Sequence, residues 1–345
     1  MSIRTIRYAL AASASFAAIA GAAPTLAQDV AISSERLANL EEPLATEVGP
    51  ITVEFAGLID ARVDYDFEDE DGGDDALNPG IIGNFEFNAS TQLGNRWNVG
   101  VAYFGQYERD EMLGGDGDYT DRIAGFVQGT YGTAFGGEVM DIVREETRRV
   151  RGVGNANLAF DDALGAAKGW GGGYVGQFGP SRLSAIVDED GNYDLGFMYQ
   201  RPDGANGYRY GMRFTDATYT APDGLTEFES NALMGTFEYL YSRSIYNLGG
   251  GVESLEAGPT VAKRWFVSGG WQRQWGAVTT SLEGHYGEIE GQAEKSAAFG
   301  LDYGFARGLS LNLGVNHSDA QVVVDGITIL DEKETTATTS LRFGF

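Results

Sequence analysis

The stretch from Arg96 to Asp110 reads RWNVGVAYFGQYERD and alternates apolar with polar or small residues over most of its length. One set of alternate positions carries the larger apolar side chains Trp97, Val99, Val101, Tyr103 and Tyr107. The other set carries the polar or small residues Asn98, Gly100, Ala102, Gln106 and Glu108. Successive side chains of a strand point to opposite faces, so the pattern predicts a strand with one apolar and one polar surface. Its aromatic residues lie toward the ends of the apolar face, as in strands whose aromatic girdles flank a membrane-spanning apolar band.

The same alternation recurs along the rest of the chain, in segments 54–65, 84–93, 264–272, 299–305 and 309–316. Many alternating segments have about ten or more residues, whereas strands of soluble proteins usually have about five or six. Gly makes up 50 of the 345 residues, against only 8 Pro, and aromatic residues make up 12%. This composition favours long strands joined by tight turns over a helical enzyme.

The connections between these segments differ in length. Short turns are expected at Gly94-Asn95, Gly179-Pro180 and Arg307-Gly308. Longer acidic loops are expected at 68–79, 112–119 and 253–260. Short turns at one end and longer loops at the other are typical of transmembrane barrels. A soluble β-sandwich or a β-helix would also alternate, but the lengths of the strands and loops favour the barrel.

Sixteen strands are expected, an even number that suits a closed antiparallel barrel. They are predicted to begin near Thr52, Ile81, Trp97, Asp121, Ala134, Gly171, Arg182, Tyr193, Tyr208, Glu227, Ser242, Val261, Ala277, Ser296, Leu309 and Glu334. Closure matters because an open sheet edge in lipid would leave unpaired backbone groups. The sequence therefore predicts an all-β protein, a transmembrane up-and-down antiparallel barrel over residues 51–345, wide enough for an aqueous channel.

The first 27 residues have the composition of a secretory signal peptide, with Arg4 and Arg7 before an Ala-rich apolar region and small residues before Gln28. A transmembrane anchor is the alternative, but it requires about 20 strongly apolar residues. Residues 28–50 form a polar extension before the barrel. We expect a flexible periplasmic tail there, with a plug or an early pairing segment as the alternatives.

Composition also excludes several classes of function. The chain contains no Cys, which excludes disulfides, thiol catalysis and Cys-ligated metals. Its 50 acidic and 24 basic residues give a net charge of −26, so binding to nucleic acid by phosphate neutralisation is not expected. The same charge favours cations in any aqueous passage through the protein.

The C-terminal segment TTATTSLRFGF places Phe345, Phe343 and Leu341 on one face of a final strand. Together with the signal peptide and the sixteen-strand rhythm, this ending resembles the Gram-negative general porins, and among them the porins of alphaproteobacteria. The resemblance implies an outer-membrane location in a Gram-negative cell, a homotrimer, and contacts with outer-membrane lipid and lipopolysaccharide. It also implies that Phe345 is the assembly signal recognised by the barrel-assembly machinery.

A long charged segment, residues 144–168, follows the fifth predicted strand. Porins of this family fold their third external loop, at this place in the strand order, into the barrel as a constriction. The charged residues near its start are Arg144, Arg148, Arg149 and Arg151, and those near its end are Asp161 and Asp162. The start is Arg-rich and the usual acidic tip motif is not evident, so the resemblance leaves open which charges face each other across the pore.

Side chains of the barrel wall complete the predicted constriction. By inward parity these are Asp60, Arg62 and Glu86. Opposed arginines and carboxylates would set up a transverse field, while the pore width would set the size limit for solutes. The alternative is that the Arg cluster forms structural ion pairs with Glu145 and Glu146 within the loop.

An acidic run lies in the first external loop, with Asp69, Asp71, Asp74 and Asp75 as candidate metal ligands. A solvated surface is one interpretation. The other is Ca²⁺ bound by hard oxygen ligands and bridging the loop to lipopolysaccharide phosphates. The spacing does not match an EF-hand loop, and no other cofactor is expected.

The predicted function is passive diffusion of ions and small hydrophilic solutes through a cation-favouring channel. A channel specific for a sugar, phosphate or another anion is the main alternative, although nearly all aromatic residues follow the lipid-facing parity and leave no aromatic track. An enzyme is far less favoured, because the sequence has only His285 and His317 and lacks a Gly-x-Ser-x-Gly elbow or a zinc-binding His pair. By parity His285 could face the lumen as a solvated side chain.

Overall fold

The computed structural model describes residues 44–67, 77–94, 96–110, 117–138, 142–203 and 206–345. The predicted signal peptide, most of the polar extension and the acidic run with Asp69, Asp71, Asp74 and Asp75 lie outside these ranges. Most of the described part of the chain lies in strands.

The strands are β1 Leu44–Val48, β2 Ile51–Asp66, β3 Leu77–Gln92, β4 Asn98–Asp110, β5 Asp118–Gly129, β6 Gly132–Glu138, β7 Trp170–Phe178, β8 Ser181–Asp188, β9 Tyr193–Asp203, β10 Asn206–Thr220, β11 Glu227–Tyr241, β12 Ser244–Ala257, β13 Thr260–Trp275, β14 Val278–Ile289, β15 Gln292–Ala306, β16 Leu309–Val324 and β17 Ile327–Gly344. A short helix, α1, spans Ile142–Thr147 between β6 and β7. Among the described residues, no helix has the length and apolar character needed to cross a membrane.

Strands β2 to β17 form a closed antiparallel barrel of sixteen strands, because each pairs with the next and β17 pairs with β2. The predicted transmembrane up-and-down barrel is therefore confirmed. Most predicted strand starts lie within about four residues of the observed ones. The exception is β17, which begins at Ile327 rather than near Glu334. Its first residues pair with β16 but carry Asp331 and Lys333 on the outer face, so they lack the apolar alternation used to find strands.

The two ends of the barrel differ in their connections. The C-terminal rim, which holds Phe345, carries short turns such as Gly179-Pro180 and Arg307-Gly308, as predicted. At the opposite end, the loop rim, the connections longer than six residues are those following β2, β4 and β6. The predicted acidic loop at 253–260 was wrong: β12 and β13 continue to a two-residue turn at Gly258-Pro259. Gly258 supplies the positive φ of 59° that this turn requires.

Residues 44–48 lie in the extension that we expected to be a flexible tail, yet they form strand β1. This strand pairs antiparallel with the first residues of β2, from Leu44 opposite Phe55 to Val48 opposite Ile51. Strand β17 pairs with the remainder of β2, ending with Gly344 opposite Leu58. Strand β1 therefore continues the line of β17 beyond the C-terminus, and for these residues the early pairing alternative describes the structure.

Burial follows the two-residue period of the strands. Along β11 exposed and buried positions alternate, with Phe237, Tyr239 and Tyr241 exposed on the outer face. The inner face of the same strand carries the buried Ser230 and Glu238. An apolar exterior and a largely polar interior are what a barrel in a membrane requires.

The C-terminal residue takes part in closing the barrel. Phe345 and Gly57 exchange two backbone hydrogen bonds, each with an N–O distance of 2.9 Å. The Phe345 ring covers Gly57 so closely that a Cβ there would lie 2.3 Å from the ring. The ring also contacts Phe55 and Phe343, with ring centroids 5.8 Å apart in both cases. The absent side chain at position 57 is what lets the terminal ring lie against β2.

We predict that Gly57→Val displaces the Phe345 ring and lowers the stability of the barrel by about 1–3 kcal/mol. The measurement is the urea midpoint of the detergent-refolded protein, followed by the heat-dependent band shift in gel electrophoresis. Gly83→Val is the matched control, because nothing lies within 4 Å of a Cβ at position 83. Equal midpoints for the two variants would contradict the proposed role of the contact.

Candidate functional site

The segment between β6 and β7 folds into the barrel, as predicted, and its described residues 142–169 are called the inner loop below. Helix α1 packs beside β8, β9 and β10. The chain then runs along the wall to β16 and β17 and returns to β8, where Lys168 donates its backbone N–H to Asp188 at 3.0 Å. The inner loop therefore lies against the wall formed by β8 to β17.

The tip of the inner loop is held at β16 and β17. The Asn155 side chain donates to Ser340 Oγ at 3.1 Å, and the Asn157 backbone N–H donates to Asn316 at 2.6 Å. Arg342 donates to Asn155 Oδ1 at 3.4 Å and to Asp60 at 2.8 Å. These bonds tie the tip to the strands at the closure of the barrel.

Glycines of the wall let the backbone of the inner loop approach it closely. A Cβ at Gly300 would lie 1.9 Å from the carbonyl oxygen of Val153, and a Cβ at Gly314 would lie 2.3 Å from Asn155. At Gly211 the nearest loop atom is the carbonyl oxygen of Thr147, 2.6 Å away. The high glycine content therefore serves more than the turns, because a side chain at these positions would fill the space that the loop occupies.

Arg149 is the first centre of charge in the inner loop, and its side chain is almost fully buried. It forms ion pairs with Asp161 at 2.7 Å and with Glu283 of β14. It also donates to Ser268 at 3.1 Å and to Asn247 at 3.2 Å. One guanidinium thus joins both arms of the loop to β12, β13 and β14, with most of its donors in use.

Asp162 is the second centre of charge. Its carboxylate pairs with Arg144 of the loop at 2.6 Å and with Arg213 of β10. Its carbonyl oxygen accepts a hydrogen bond from Arg264 of β13 at 2.6 Å. Arg264 is completely buried and also pairs with Glu253 and Glu294, each at 2.8 Å.

The structure brings the six predicted loop residues together, but largely as partners of one another. Arg151 pairs with Asp161 at 3.3 Å, and Arg148 pairs with Glu145. The ion-pair alternative therefore describes Arg148 and Glu145, whereas Glu146 pairs with Arg182 of the wall at 2.6 Å. A cluster that looks strongly basic in sequence is electrically compensated in the fold.

The predicted wall residues lie on the inner face. Asp60 pairs with Arg342, and Arg62 pairs with Glu108 at 2.8 Å and with Asp64 at 3.2 Å. Glu86 accepts a hydrogen bond from Asn88 at 3.2 Å. Arg342 links Asp60 to the inner loop, because it also donates to Asn155.

The wall partners of the inner loop were not singled out from the sequence. They include Arg213, Glu253, Arg264, Glu283 and Arg342. Each occupies the polar face of its strand, and that parity is the one signal by which the sequence marks them. Parity identifies an inward side chain but does not say which other inward side chain it meets.

The aromatic residues depart in part from the expected lipid-facing parity. Phe104, Phe135, Phe228 and Phe266 are buried inside the barrel. His285 also points inward, but it is buried rather than solvated, with Nε2 3.1 Å from Glu294. Within the described residues, no group of three or more acidic or His side chains is placed to hold a metal ion.

The arginines around the two loop aspartates control their ionisation. Burial by itself raises the pKa of Asp162, but Arg144 and Arg213 outweigh burial and hold that pKa below its usual range. For Asp161, burial is again opposed, here by Arg151 and Arg149, and its pKa is lowered. Both carboxylates therefore stay charged at neutral pH, as their ion pairs require.

Solved structures with the same fold are bacterial porins. A mutant porin of Rhodopseudomonas blastica matches with a TM-score of 0.55 and 14% identity, over 85% of this chain and 100% of that chain. OmpT, an outer-membrane protein of Vibrio cholerae in a trimer form, matches with a TM-score of 0.61 and 13% identity, over 86% and 100%. An anion-selective porin from Comamonas acidovorans gives 0.63 and 12%, over 86% and 100%. No family model and no curated protein matches the sequence. The chain thus has the general porin fold.

We predict that Gly300→Ala pushes the inner loop away from β15, because the new methyl group would overlap the Val153 carbonyl. The expected result is a changed single-channel conductance with greater current noise in planar bilayers. Gly284→Ala on the neighbouring strand β14 is the matched control, since nothing lies within 4 Å of its Cβ. If the conductance and current noise of Gly300→Ala equal those of the parent protein, the close contact does not position the loop.

The lowered pKa values give a second prediction, about acid. Carboxyls of this kind stabilise the fold above their ordinary pKa of about 3.9, and that contribution is lost as pH falls through the lower folded-state pKa. Current noise should therefore stay constant from about pH 7 to about pH 5 and rise only below about pH 4.

Asp162→Asn should raise the current noise already at neutral pH. Arg144 and Arg213 would be left without their carboxylate, which lowers the stability of the fold by about 3–5 kcal/mol. Asp190→Asn, in an exposed turn of the loop rim, is the control and should match the parent. A quiet Asp162→Asn channel at neutral pH would rule out this ion pair as the attachment.

Proposed function

We propose that this protein is an outer-membrane porin, a water-filled channel for passive diffusion of ions and small hydrophilic solutes. The observation that carries the proposal is the inner loop folded into a closed sixteen-strand barrel whose inner face is largely polar. The inner loop narrows the aqueous passage through the barrel, and the apolar outer face remains in contact with the membrane. A Gram-negative outer-membrane location and contacts with lipid and lipopolysaccharide follow from this proposal.

Cation preference is part of the proposal, and the inner face supports it. At the loop rim the inward residues of β2, β4, β5 and β17 include the acidic side chains Asp64, Asp66, Glu108, Asp118, Glu332 and Glu334. Two inward basic side chains lie in this described part of the wall: Arg62 is paired with Glu108 and Asp64, and Arg122 of β5 lies over the Phe104 ring. The acidic side chains therefore outnumber the basic ones there. The arginines of the inner loop are compensated by carboxylates, so they do not oppose the negative field. One protein of the same fold is described as anion-selective, so these charges, and not the fold, support cation preference.

A channel specific for sugars or phosphate is the second candidate, but the described side chains favour it less. Aromatic faces that could stack on sugars need to be accessible, and the inward Phe104 and Phe135 are only 3% and 6% exposed. Phosphate recognition needs available guanidinium groups, whereas Arg149 and Arg264 are buried in ion pairs. Catalysis is not proposed either, because His285 and Glu294 are fully buried where substrate has no access.

We propose a homotrimer, and the wall at β6 to β8 supports association between copies. Strands β6 and β8 have 7 and 8 residues, fewer than the 9–11 or so that a lipid-exposed strand needs to span a bilayer. The outer face of β6 also carries the small residues Ala134 and Gly136. A neighbouring copy would cover a wall too short to match the lipid.

Two further assignments belong to this proposal. The first is Phe345 as the signal for the barrel-assembly machinery, which the resemblance of the C-terminal segment to the general porins implies; the residue is partly exposed at the C-terminal rim. Calcium binding by Asp69, Asp71, Asp74 and Asp75 concerns residues outside the described ranges.

The test is a recording of refolded protein in planar lipid bilayers. We expect step-like conductance, with steps grouped in threes for a trimer, and a reversal potential in a KCl gradient that shows cation preference. Protein that refolds, as judged by its heat-dependent gel shift, but never conducts would reject the channel. An anion-selective reversal potential would reject the cation preference and leave the channel intact.

A further inference from the structure

The inner face of the barrel is apolar and closed at one part of the loop rim. A cluster of inward side chains there is completely buried, at 0–2% exposure, and consists of Ala221, Phe228, Leu255, Ala262, Ile289, Ala320, Val322 and Ile329. These residues come from the loop-rim ends of β11 to β14, β16 and β17 and from the turn after β10. A lumen filled with water at this level would leave such side chains exposed, so the space between them is packed. We call this region the sealed lobe.

The sealed lobe joins walls that are far apart around the barrel. Strands β10 and β17 are separated by six strands in the ring of sixteen. In a round barrel of this size they would lie roughly 30 Å apart, given strand spacing near 4.8 Å and a tilt near 40°. The Tyr219 hydroxyl of β10 nevertheless donates to the carbonyl oxygen of Ile329 on β17 at 2.7 Å. The loop-rim ends of β10 to β17 are therefore folded onto each other, like two sheets packed face to face.

The inner loop closes the sealed lobe from below. Phe160 and Leu164 pack against its apolar residues. Beneath them Arg264 is completely buried and donates to the carbonyl oxygens of Phe160 and Asp162 while pairing with Glu253 and Glu294. Arg264, Glu253 and Glu294 have no contact with water and are stabilised by pairing with one another. The region beneath the sealed lobe therefore offers no aqueous route into it.

The opposite side of the loop rim remains accessible to water. The inward side chains of Asp64 on β2 and Glu108 on β4 are 27% and 26% exposed, and that of Arg62 is 18% exposed. The loop rim is therefore accessible to water along β2 and β4 and packed at the sealed lobe.

We infer that, in the described part of the loop rim, solutes enter along β2 to β5, while the mouth above β10 to β17 is permanently roofed by the sealed lobe. This inference rests on the proposed channel function and adds where the path lies. It makes Arg62, Asp64 and Glu108 specificity-determining residues in contact with passing ions. It also removes Glu253, Arg264 and Glu294 from the path, although they face the interior.

The chain has no Cys, so an introduced Cys is a unique probe. Asp64→Cys and Glu108→Cys place a thiol on the inferred path, and Ala262→Cys and Ala320→Cys place one inside the lobe with little change in volume. Each refolded variant is recorded in a planar bilayer before and after a trimethylammonium methanethiosulfonate reagent is added to both sides. We expect conductance to fall by about 1.5-fold or more for the first pair, with recovery on reduction, and to stay constant for the second.

Mass spectrometry of the same variants in detergent, after the same reagent, gives a measurement independent of conductance. Labelling of both path variants and of neither lobe variant, in protein that keeps its heat-dependent gel shift, supports the inference. Rapid labelling of either folded lobe variant, or no labelling of either path variant, overturns it. If the folded variants show the expected labelling pattern but the folded parent protein shows no conductance, the proposed channel is rejected while the roofed mouth stands.

Discussion

Every backbone N–H and C=O group that faces lipid must be hydrogen-bonded within the protein, because the hydrocarbon offers no partner. In this chain that requirement is met by the pairing of β17 with β2, which turns a sheet with two edges into a closed barrel. The pairing extends to Phe345, whose ring fits over Gly57 because that position has no side chain. Strand β1 then covers part of β2 beyond the C-terminus. The closed wall is what allows the interior to be polar.

A closed barrel of sixteen strands encloses more space than inward side chains fill. This protein fills much of it with the inner loop and with the sealed lobe. The loop backbone needs partners at every turn, and glycines such as Gly300 and Gly314 allow it to approach the wall. The buried ion pairs of Arg149 and Arg264 add little net stability, since desolvation offsets much of the attraction in each pair.

The sequence predicted the strands well, because a lipid-facing strand imposes a strict alternation on about ten residues. Prediction failed where that requirement ends, as at the start of β17 and at the turn between β12 and β13, which lie at the loop rim. The place of the inner loop was also predictable, from its length and order together with the resemblance to the general porins. Its contacts with the wall were not, because the wall partners of Arg149 and Asp162 are Glu283 and Arg213, more than 50 residues away in each case.

The sequence alone determined the barrel, its even strand number and the parity of nearly every side chain, because these depend on local period and on closure. The tertiary structure alone decided which inward charges compensate each other and which part of the mouth is packed. Asp161 and Asp162 look like pore charges in sequence, but the fold buries them against arginines. Phe228 and Val322 look like ordinary strand residues, but the fold brings them together in one apolar cluster. Period two assigns a side chain to the interior, whereas only the curvature of the closed wall determines what it meets there.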